Sequence, residues 1–370
     1  MAKIKEFLKR KNIVFTLQRY GIDALGAMAQ GLFCTLLVGT ILNTLGQQLN
    51  IGFLNEAIVT IKDATGANQI SYTIGGLASA MVGPGIAIAI GFALKCPPLV
   101  LFSLIPVGFA ANAMGGAGGP LAVYVIAILA SECGKIVSKE TKIDILVTPI
   151  ITILAGIGAA SVIAAPIGAA ASAVGTAVRW ATVQQPFLMG ILVSALVGIA
   201  LTLPISSAAI CAALTLTGLA GGAAVAGCCA QMVGFAVMSF KENRWGGLVA
   251  QGVGTSMLQM PNIVKNPKIW IPPTLASMIT GPIATCIFKL EMNGAPVSSG
   301  MGTCGFVGQI GVYTGWVSDI AAGAKAAITP MDWAGLLLIC FVLPAVLSYI
   351  FCEILRKWGW IKENDLKLDL

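Results

Sequence analysis

The chain has 370 residues, of which 57% are hydrophobic and 10% charged, with 44 glycines and no histidine. Soluble domains carry roughly 25% charged residues, so this composition excludes a water-soluble globule, and the missing histidine excludes histidine metal sites, histidine acid–base catalysis and phosphohistidine. The net charge of +7 comes from short basic runs between apolar stretches. Such runs indicate membrane topology, and they point to no nucleic-acid partner.

Residues 1–20 predict an amphipathic helix that lies on the membrane surface. The segment is basic, and Ile4, Phe7, Leu8 and Phe15 recur at helical spacing, which is typical of helices that lie in the interface. The apolar run that follows is too long for the core of a signal peptide. We therefore interpret that run as a retained membrane span.

Ten apolar runs predict an all-α polytopic membrane protein with about ten transmembrane helices. A helix that crosses the bilayer needs about 20 mostly apolar residues. The runs cover residues 24–46, 73–95, 98–114, 119–134, 143–165, 186–203, 206–222, 223–240, 270–288 and 333–355. The segment 47–72, which contains Glu56, Lys62 and Asp63, is predicted to be an external loop.

Basic clusters set the predicted orientation of these spans. With the basic N-terminus inside, ten crossings bring three further clusters to the same side: KIVSKETK at 135–142, KENR at 241–244, and the C-terminal tail. This agrees with the positive-inside rule. The sequence thus predicts two cytoplasmic termini, one membrane domain over 21–355 and a cytoplasmic tail over 356–370.

Two glycine-rich segments, 246–260 and 292–312, predict re-entrant or broken helices. Both are rich in small residues, and the second contains MNGAPVSSGMGTCGFVGQIG. Irregular backbone at membrane depth is tolerated where protein buries it or where it lines a watery cavity. Close packing between ordinary spanning helices also favours small residues, and this alternative explains most glycines elsewhere in the chain. For 292–312 we favour a functional, cavity-lining segment.

An internal repeat is a further prediction. GGLASAMVG at 75–83 matches GILVSALVG at 190–198, and the glycines of 117–119 and 220–222 follow in the same order. The possible repeat halves cover 73–150 and 186–260, and both end in a basic cluster, which favours a parallel repeat. Many carriers consist of two copies around a central site, although two Ala- and Gly-rich stretches can also match by chance.

The best candidate for a ligand-binding carboxylate is Glu291. Ionisable side chains at membrane depth are functional candidates, and the polar residues after this one suit a polyol, whose hydroxyls both donate and accept. The predicted substrate-binding residues are Glu291, Asn293, Ser299, Thr303, Gln309 and, from the first half of the chain, Asn112. Pairing of Glu291 with Lys289 is the structural alternative. For Glu132, a salt bridge with Lys135 is the favoured interpretation, and Glu140 and Glu242 are expected on solvated loops.

The sequence contains no catalytic constellation. The glycine clusters are not followed by Lys-Ser or Lys-Thr, so they do not form a phosphate-binding loop. The ten cysteines are scattered without a Cys-x-x-Cys motif, and such cysteines behave as small hydrophobic residues. We therefore expect no metal site, no cofactor and no catalysis by this chain alone.

Two glycine-rich stretches resemble those of a known family. GGAGGPLAVYVIAILASECGKIVSKETKIDILVTP (115–149) and LEMNGAPVSSGMGTCGFVGQIG (290–311) are similar to the membrane-embedded enzyme IIC components of the bacterial phosphotransferase system, in the compact branch described as putative toxin or perfringolysin regulators. The resemblance implies a sugar permease of the cytoplasmic (inner) membrane, a homodimer, and phosphorylation of the sugar by separate IIA and IIB phosphocarrier proteins. It matches Glu291 to the family carboxylate, but the usual Gly-Ile-Thr-Glu pattern and its histidine are missing.

The leading hypothesis is an enzyme IIC-type permease that moves a small polar, sugar-like substrate by alternating access. Two alternatives remain open at this point. One is a membrane sensor or regulator that keeps the permease fold without transport, which the missing histidine and the absence of a fused IIB region favour. The other is a secondary transporter of an organic anion, coupled to Na⁺ or protons.

Overall fold

A computed structural model of the protein describes residues 2–48, 50–62 and 69–368. The chain folds as two compact units, Met1–Ala169 and Ala170–Leu370. Apart from one antiparallel two-stranded hairpin, the regular elements in the described ranges are helical. The architecture is therefore that of a polytopic helical membrane protein, as the sequence predicts.

The first unit begins with a helix that is shorter than the surface helix predicted for 1–20, since it ends at Arg10 and is followed by a turn; its place on the membrane surface stays a prediction. Its elements are α1 (Ala2–Arg10), a π-helical turn (Gln18–Asp23), α2 (Ala24–Leu32), a second π turn (Phe33–Leu37), α3 (Val38–Gln48), α4 (Gly52–Asn55), β1 (Val59–Lys62), β2 (Gln69–Tyr72), α5 (Ile74–Ala80), α6 (Val82–Ala93), α7 (Pro98–Gly115), a 3₁₀ turn (Gly116–Gly118) and α8 (Gly119–Val137). Helix α9 (Asp144–Thr182) starts in this unit and ends in the second. The predicted external loop contains the hairpin β1–β2, and Asp63 of that loop lies outside the described residues.

Within residues 2–48, 50–62 and 69–368, six helical stretches are long and apolar enough to cross a membrane. They are Gln18–Gln47, Pro98–Val137, Asp144–Thr182, Gly218–Met238, Pro267–Phe288 and Pro330–Lys357. The pair α5–α6, bent by 53°, raises this number to seven. The full count of ten crossings remains a prediction.

The stretch Pro98–Val137 is a hairpin of two helices. Gly116 has a φ of +52°, a left-handed conformation that glycine adopts at little cost, and the chain reverses there. A side chain on Gly134 would contact Val100, and one on Gly119 would contact Asn112, so α7 and α8 pack antiparallel. At 1.5 Å per residue each helix is about 27 Å long, which is close to the thickness of the hydrocarbon core.

The second unit contains more broken helices. Its elements are α10 (Pro186–Thr202), α11 (Ser207–Ala213), α12 (Gly218–Met238), α13 (Phe240–Val249), a π turn (Ala250–Gly254), a 3₁₀ turn (Ser256–Gln259), α14 (Met260–Lys265), a 3₁₀ turn (Pro267–Trp270), α15 (Ile271–Pro282), a π turn (Ile283–Phe288), 3₁₀ turns (Pro296–Gly300 and Cys304–Phe306), α16 (Val307–Ala321), α17 (Pro330–Leu337), a π turn (Leu338–Val342) and α18 (Leu343–Lys357). Helix α12 is the most buried of the six apolar stretches.

Hydrogen bonds fix the directions of the helices around α12. Ser194 Oγ donates to the carbonyl of Ser277 at 2.7 Å, and Thr285 Oγ1 donates to that of Pro186 at 2.8 Å, so α10 and α15 are antiparallel. Gln231 Nε2 donates to Thr274 Oγ1 at 3.2 Å, and the start of α12 shares an apolar cluster with the end of α15. Helix α12 is therefore also antiparallel to α15, and α10 and α12 run in the same direction.

Because α10 and α12 are parallel, residues 203–217 return along the bundle. Thr202 contacts Gln231, and α12 begins at Gly218, which is about 20 Å away along the helix axis at 1.5 Å per residue. Within this return segment α11 supplies a helix of 7 residues. The second unit thus contains a broken return segment at a place where the sequence predicts a continuous span over 206–222.

The apolar runs differ from the structure mainly in this region. The five runs of the first unit fall largely within helical stretches, although a π turn interrupts the first and a bend the second. The boundary between the predicted runs 206–222 and 223–240 is wrong, because α12 continues through it. Its glycines at this point serve close packing: a Cβ on Gly222 would lie 1.7 Å from the carbonyl oxygen of Leu290. The predicted run 143–165 is likewise only part of α9, which continues to Thr182.

The repeat stays a prediction. The last glycine of each matched string makes a close contact with a second glycine, since a Cβ on Gly83 would lie 2.2 Å from the oxygen of Gly108 and one on Gly198 would lie 2.7 Å from that of Gly227. However, α6 and α7 are antiparallel whereas α10 and α12 are parallel. The two copies therefore share a packing contact and differ in the direction of the partner helix.

Candidate functional site

Two irregular segments of the second unit, 203–217 and 289–306, pack against each other. Gly218 and Met292 exchange two backbone hydrogen bonds of 3.0 Å each. Ser299 Oγ donates to the carbonyl of Leu216 at 2.9 Å, and Ser207 Oγ donates to that of Gly300 at 2.8 Å. These contacts supply the partners that irregular backbone requires in an apolar environment. The prediction that 292–312 is not a straight span is confirmed, with regular helix resuming at Val307.

A polar cavity lies beside the segment that follows the π turn Ile283–Phe288. Its volume is about 320 Å³, at the small end of the range for ligand pockets. The lining residues are Phe288, Lys289, Leu290, Glu291, Asn293, Trp316, Asp319, Ala324, Lys325 and Asp332. We refer to this site as the acidic cavity, because three carboxylates face two lysines across it.

Asn293 connects two of the carboxylates. Its amide nitrogen donates to Glu291 Oε2 at 3.2 Å and to Asp319 Oδ2 at 2.8 Å. Its amide oxygen accepts from the backbone nitrogen of Gly218 at 3.1 Å. Because the amide is fixed from both ends, it holds the two carboxylates at a set separation. Glu291 therefore contacts Asn293 in the structure, in place of the pairing with Lys289 that was the structural alternative.

The third carboxylate is occupied by the protein itself. Asp332 Oδ1 accepts from Lys325 Nζ at 2.9 Å, and its Oδ2 accepts from the backbone and hydroxyl of Thr329 in a capping box at the start of α17. Lys325 Nζ also lies 5.9 Å from the centre of the Trp316 ring, within cation–π range. Asp332 thus orients Lys325 and has little capacity left for a ligand.

The remaining groups suit a small polyhydroxylated ligand. Glu291 and Asp319 each keep oxygen lone pairs that can accept from hydroxyl groups, and both side chains are at least partly exposed to the cavity. Trp316 is 4% exposed and adds an apolar ring to the lining. Carboxylates for hydroxyl groups and an aromatic ring for a carbon skeleton are complementary to an amphipathic ligand.

The structure separates the predicted site residues into groups. Glu291 and Asn293 line the acidic cavity. Three others are buried in the packing behind it: Ser299 donates to the carbonyl of Leu216 as described above, Thr303 Oγ1 lies 3.6 Å from Met232 Sδ, and Gln309 Nε2 lies 3.2 Å from Cys229 Sγ. The oxygen Oε1 of Gln309 is buried without a hydrogen-bond partner among the described residues.

The other predicted residues lie elsewhere. Asn112, half-buried near the C-terminal end of α7, belongs to the first unit. The salt bridge between Glu132 and Lys135 is confirmed, with 2.8 Å between Oε1 and Nζ. The expectation that Glu242 is solvated is wrong, because its side chain is 7% exposed and pairs with Arg356 at 2.7 Å. All ten cysteines are free thiols.

Sequence reasoning missed Trp316, Asp319, Lys325 and Asp332. These residues follow the glycine-rich segment in a stretch that we had not assigned to a span. One signal could have identified Asp319, since it is the single charged residue of helix α16. Ionisable residues in such helices are functional candidates.

Discontinuous helices in an apolar bundle, together with a polar cavity beside them, are typical of membrane transport proteins. The profile of the family described as Phosphotransferase system, EIIC, matches residues 22–368. The chain belongs to this family and is a sugar-type permease component of the phosphotransferase system. Membership implies in general a sugar substrate and IIA and IIB partner proteins. No curated protein and no solved structure shows significant similarity to the chain.

Proposed function

We propose that the acidic cavity is the site at which this permease first binds its sugar. The observation that carries the proposal is the arrangement of Glu291 and Asp319 on either side of the fixed amide of Asn293. Two carboxylates and an amide can bind adjacent hydroxyl groups. The cavity has more carboxylates than lysines, and this excess of negative charge disfavours an organic anion. A neutral polyol is therefore the better substrate candidate.

The position of the basic residues supports an external location for this cavity. Lys241 and Arg244 follow α12, and Arg356 and Lys357 end α18. Helices α12 and α18 run in the same direction, since Glu242 pairs with Arg356 and Gly234 abuts Ser348. The basic end of the second unit is therefore opposite to Gly218 and the acidic cavity. By the positive-inside rule, the cavity faces outwards. Both termini then lie on the cytoplasmic side of a bacterial inner membrane.

Transport from this position follows alternating access, with the sugar released inwards and phosphorylated by a separate IIB protein. The broken segments 203–217 and 289–306 are the parts of the unit best suited to rearrange. They contain only short helices and are fixed by a few side-chain hydrogen bonds, whereas the rest of the unit consists of long helices. The buried residues Ser299, Thr303 and Gln309 would then meet the sugar further along its path. Asn112 stays a candidate from the first unit, and a homodimer is the expectation from the family.

Ligand-induced thermal stabilisation of the purified protein tests the site. A panel of hexoses, hexitols and disaccharides is added, because a ligand that binds the folded state raises its stability with occupancy. Loss of one charge-assisted hydrogen bond costs about 1.5–3 kcal/mol, so Asp319→Asn and Glu291→Gln should each weaken binding roughly 10- to 150-fold. The matched control is Glu353→Gln, which removes a carboxylate at the basic end.

Two results would contradict this proposal. The first is a sugar whose affinity is the same in wild type, Asp319→Asn and Glu291→Gln, which would place binding elsewhere. The second is a reporter fused to the C-terminus that is exposed outside the cell, which would reverse the orientation. Accumulation of sugar phosphate in vesicles supplied with IIA and IIB proteins, against accumulation of free sugar, separates phosphorylation-coupled transport from plain transport.

A further inference from the structure

A second cavity, in the first unit, is lined by cations. Its volume is about 310 Å³. The lining residues are Arg10, Lys11, Asn12, Lys95, Pro97, Lys135, Ser138, Lys139 and Glu140. Five basic side chains thus surround one carboxylate, and they come from three parts of the chain: the end of α1, the end of α6 and the end of α8. We refer to this site as the basic cavity.

Some of these cations form the floor of the cavity. Lys135 has a side chain that is 1% exposed, and its Nζ donates to Glu132 at 2.8 Å and to the carbonyls of Asn12 and Leu94. Arg19 donates to the same Leu94 carbonyl at 2.5 Å. The carbonyl of Leu94, the C-cap residue of α6, is therefore already bound by two cations. Because this carbonyl is already paired with cations, the negative C-terminal end of α6 does not repel an anion that enters the cavity.

Other cations are left open to a ligand. Lys95 and Lys139 are exposed, and neither ammonium has a hydrogen bond or an ion pair within the described part of the chain. Glu140 is engaged by Arg10 at 2.7 Å and by Lys11, so the single carboxylate of the lining does not neutralise the two open lysines. The cavity thus presents unpaired positive charge in a concave surface.

The two open lysines also occupy an unusual backbone conformation. Lys95 has a φ of 54° and directly follows the C-cap of α6, where glycine is the usual residue. Lys139 has a φ of 61° in the turn that closes from Glu140 to Val137 after α8, a turn position that also favours glycine. A side chain in this left-handed region is unfavourable relative to glycine. Both positions therefore carry a lysine where the backbone conformation favours glycine, and both lysines line the same cavity.

Apolar side chains adjoin the basic cavity in the sequence. Phe15 and Leu17, which follow the lining residue Asn12, are 73% and 70% exposed, and Ile136 and Ile143 are 42% and 60% exposed. Exposed apolar residues next to basic ones are typical of the membrane interface. The occupant that combines an anion with an apolar body at this level is an acidic phospholipid.

We infer that the basic cavity binds the phosphate of an anionic phospholipid headgroup, with Lys95 and Lys139 as its ligands. The bound headgroup would connect the ends of α1, α6 and α8 at the surface of the first unit. This inference rests on the first unit alone and does not depend on the sugar site of the second unit.

Thermal stabilisation of the delipidated full-length protein in a neutral detergent tests the inference. We expect phosphatidylglycerol to raise the unfolding midpoint and phosphatidylcholine, which has no net charge, to have much less effect. A basic residue near an anionic membrane surface contributes roughly a factor of five in affinity, so the variant Lys95→Gln/Lys139→Gln should bind phosphatidylglycerol about 25-fold more weakly. Lys142→Gln, which removes a neighbouring exposed lysine outside the cavity lining, is the matched control and should bind like wild type.

A second variant separates lipid binding from folding. Lys95→Gly/Lys139→Gly relieves the left-handed backbone, so its unfolding midpoint without lipid should rise while the shift caused by phosphatidylglycerol is lost. Two results would overturn the inference. One is an equal lipid shift in wild type and both double variants, and the other is an equal shift with soluble glycerol phosphate, which would assign the cavity to a soluble phosphate ester.

Discussion

The buried ion pair of the first unit allows a quantitative prediction. Lys135 is 1% exposed, and its Nζ lies 2.8 Å from Glu132, 3.2 Å from the carbonyl of Asn12 and 3.4 Å from that of Leu94. Glu132→Gln removes the compensating charge and leaves a buried ammonium. Breaking a buried pair from one side costs about 3–5 kcal/mol. Because two carbonyls and the new amide oxygen remain as acceptors, we expect the lower end, about 3 kcal/mol.

The double variant Glu132→Gln/Lys135→Met provides the decisive comparison. Replacing both members of a buried pair with uncharged side chains is often close to neutral, so the double variant should recover about 2 kcal/mol or more relative to Glu132→Gln. The free energy of unfolding is measured by titration with SDS in mixed micelles, followed by tryptophan fluorescence. The control Glu353→Gln breaks an exposed pair with Lys241 and should cost at most about 1 kcal/mol.

A destabilisation by Glu132→Gln that is no larger than that of the exposed control would contradict this prediction. A double variant that is no more stable than Glu132→Gln would contradict it equally, since the loss would then come from the altered packing of residue 132. A measured cost well above 5 kcal/mol would indicate that the two carbonyls contribute nothing to the ammonium in the absence of the carboxylate.

Three further predictions concern helix packing, the tail and acid stability. Gly281→Ala should destabilise the protein by about 1–3 kcal/mol, measured by the same SDS titration, because the new Cβ would lie 2.0 Å from the oxygen of Gly190. Asn262→Ala should speed proteolytic removal of the C-terminal segment, since its amide donates to a tail carbonyl at 2.8 Å; unchanged cleavage would contradict this role. Lys11 lowers the pKa of Glu140 below its usual 4.5, so their pairing stabilises the fold above that pH and is lost as the pH falls through the lowered pKa. Glu140→Gln should therefore show a flatter loss of stability between about pH 6 and 3.

Hydrophobic runs predicted the helices of the first unit because each run there corresponds to a largely helical stretch that a turn separates from the next. The break between α7 and α8 was also visible, since its glycines interrupt two apolar runs. In the second unit the same reasoning failed at residues 203–240. A run of apolar residues does not reveal that α10 and α12 are parallel, because that direction depends on hydrogen bonds with α15, which begins at residue 271.

The acidic cavity was predictable in part. Glu291 and Asn293 stood out as polar residues beside a glycine-rich segment, and both line the cavity. Asp319 lies 26 residues beyond Asn293 and meets it through a hydrogen bond. Such a contact depends on how α16 folds back, which local sequence does not specify. Glu242 illustrates the reverse error, because its partner Arg356 is 114 residues away.

The C-terminal segment illustrates a similar limit. Its cytoplasmic location stays a prediction, and the structure shows that Leu366 is 0% exposed and Ile361 2% exposed. The amides of Asn243 and Gln259 both donate to the carbonyl of Leu366, at 2.7 and 3.0 Å. The segment is therefore packed onto the second unit, and its composition alone gave no sign of this.

The return segment 203–217 has a consequence for biogenesis. A translocon releases helices into lipid one after another, but this segment has too little regular helix to satisfy its own backbone there, and each unpaired group would cost several kcal/mol. Its partners, Ser299 and Gly300, are synthesised 83 and 93 residues after the residues that they contact. Insertion of the second half must therefore wait for the later segment to emerge, so ribosome-bound chains that stop before residue 290 should hold residues 203–217 in a protease-accessible state.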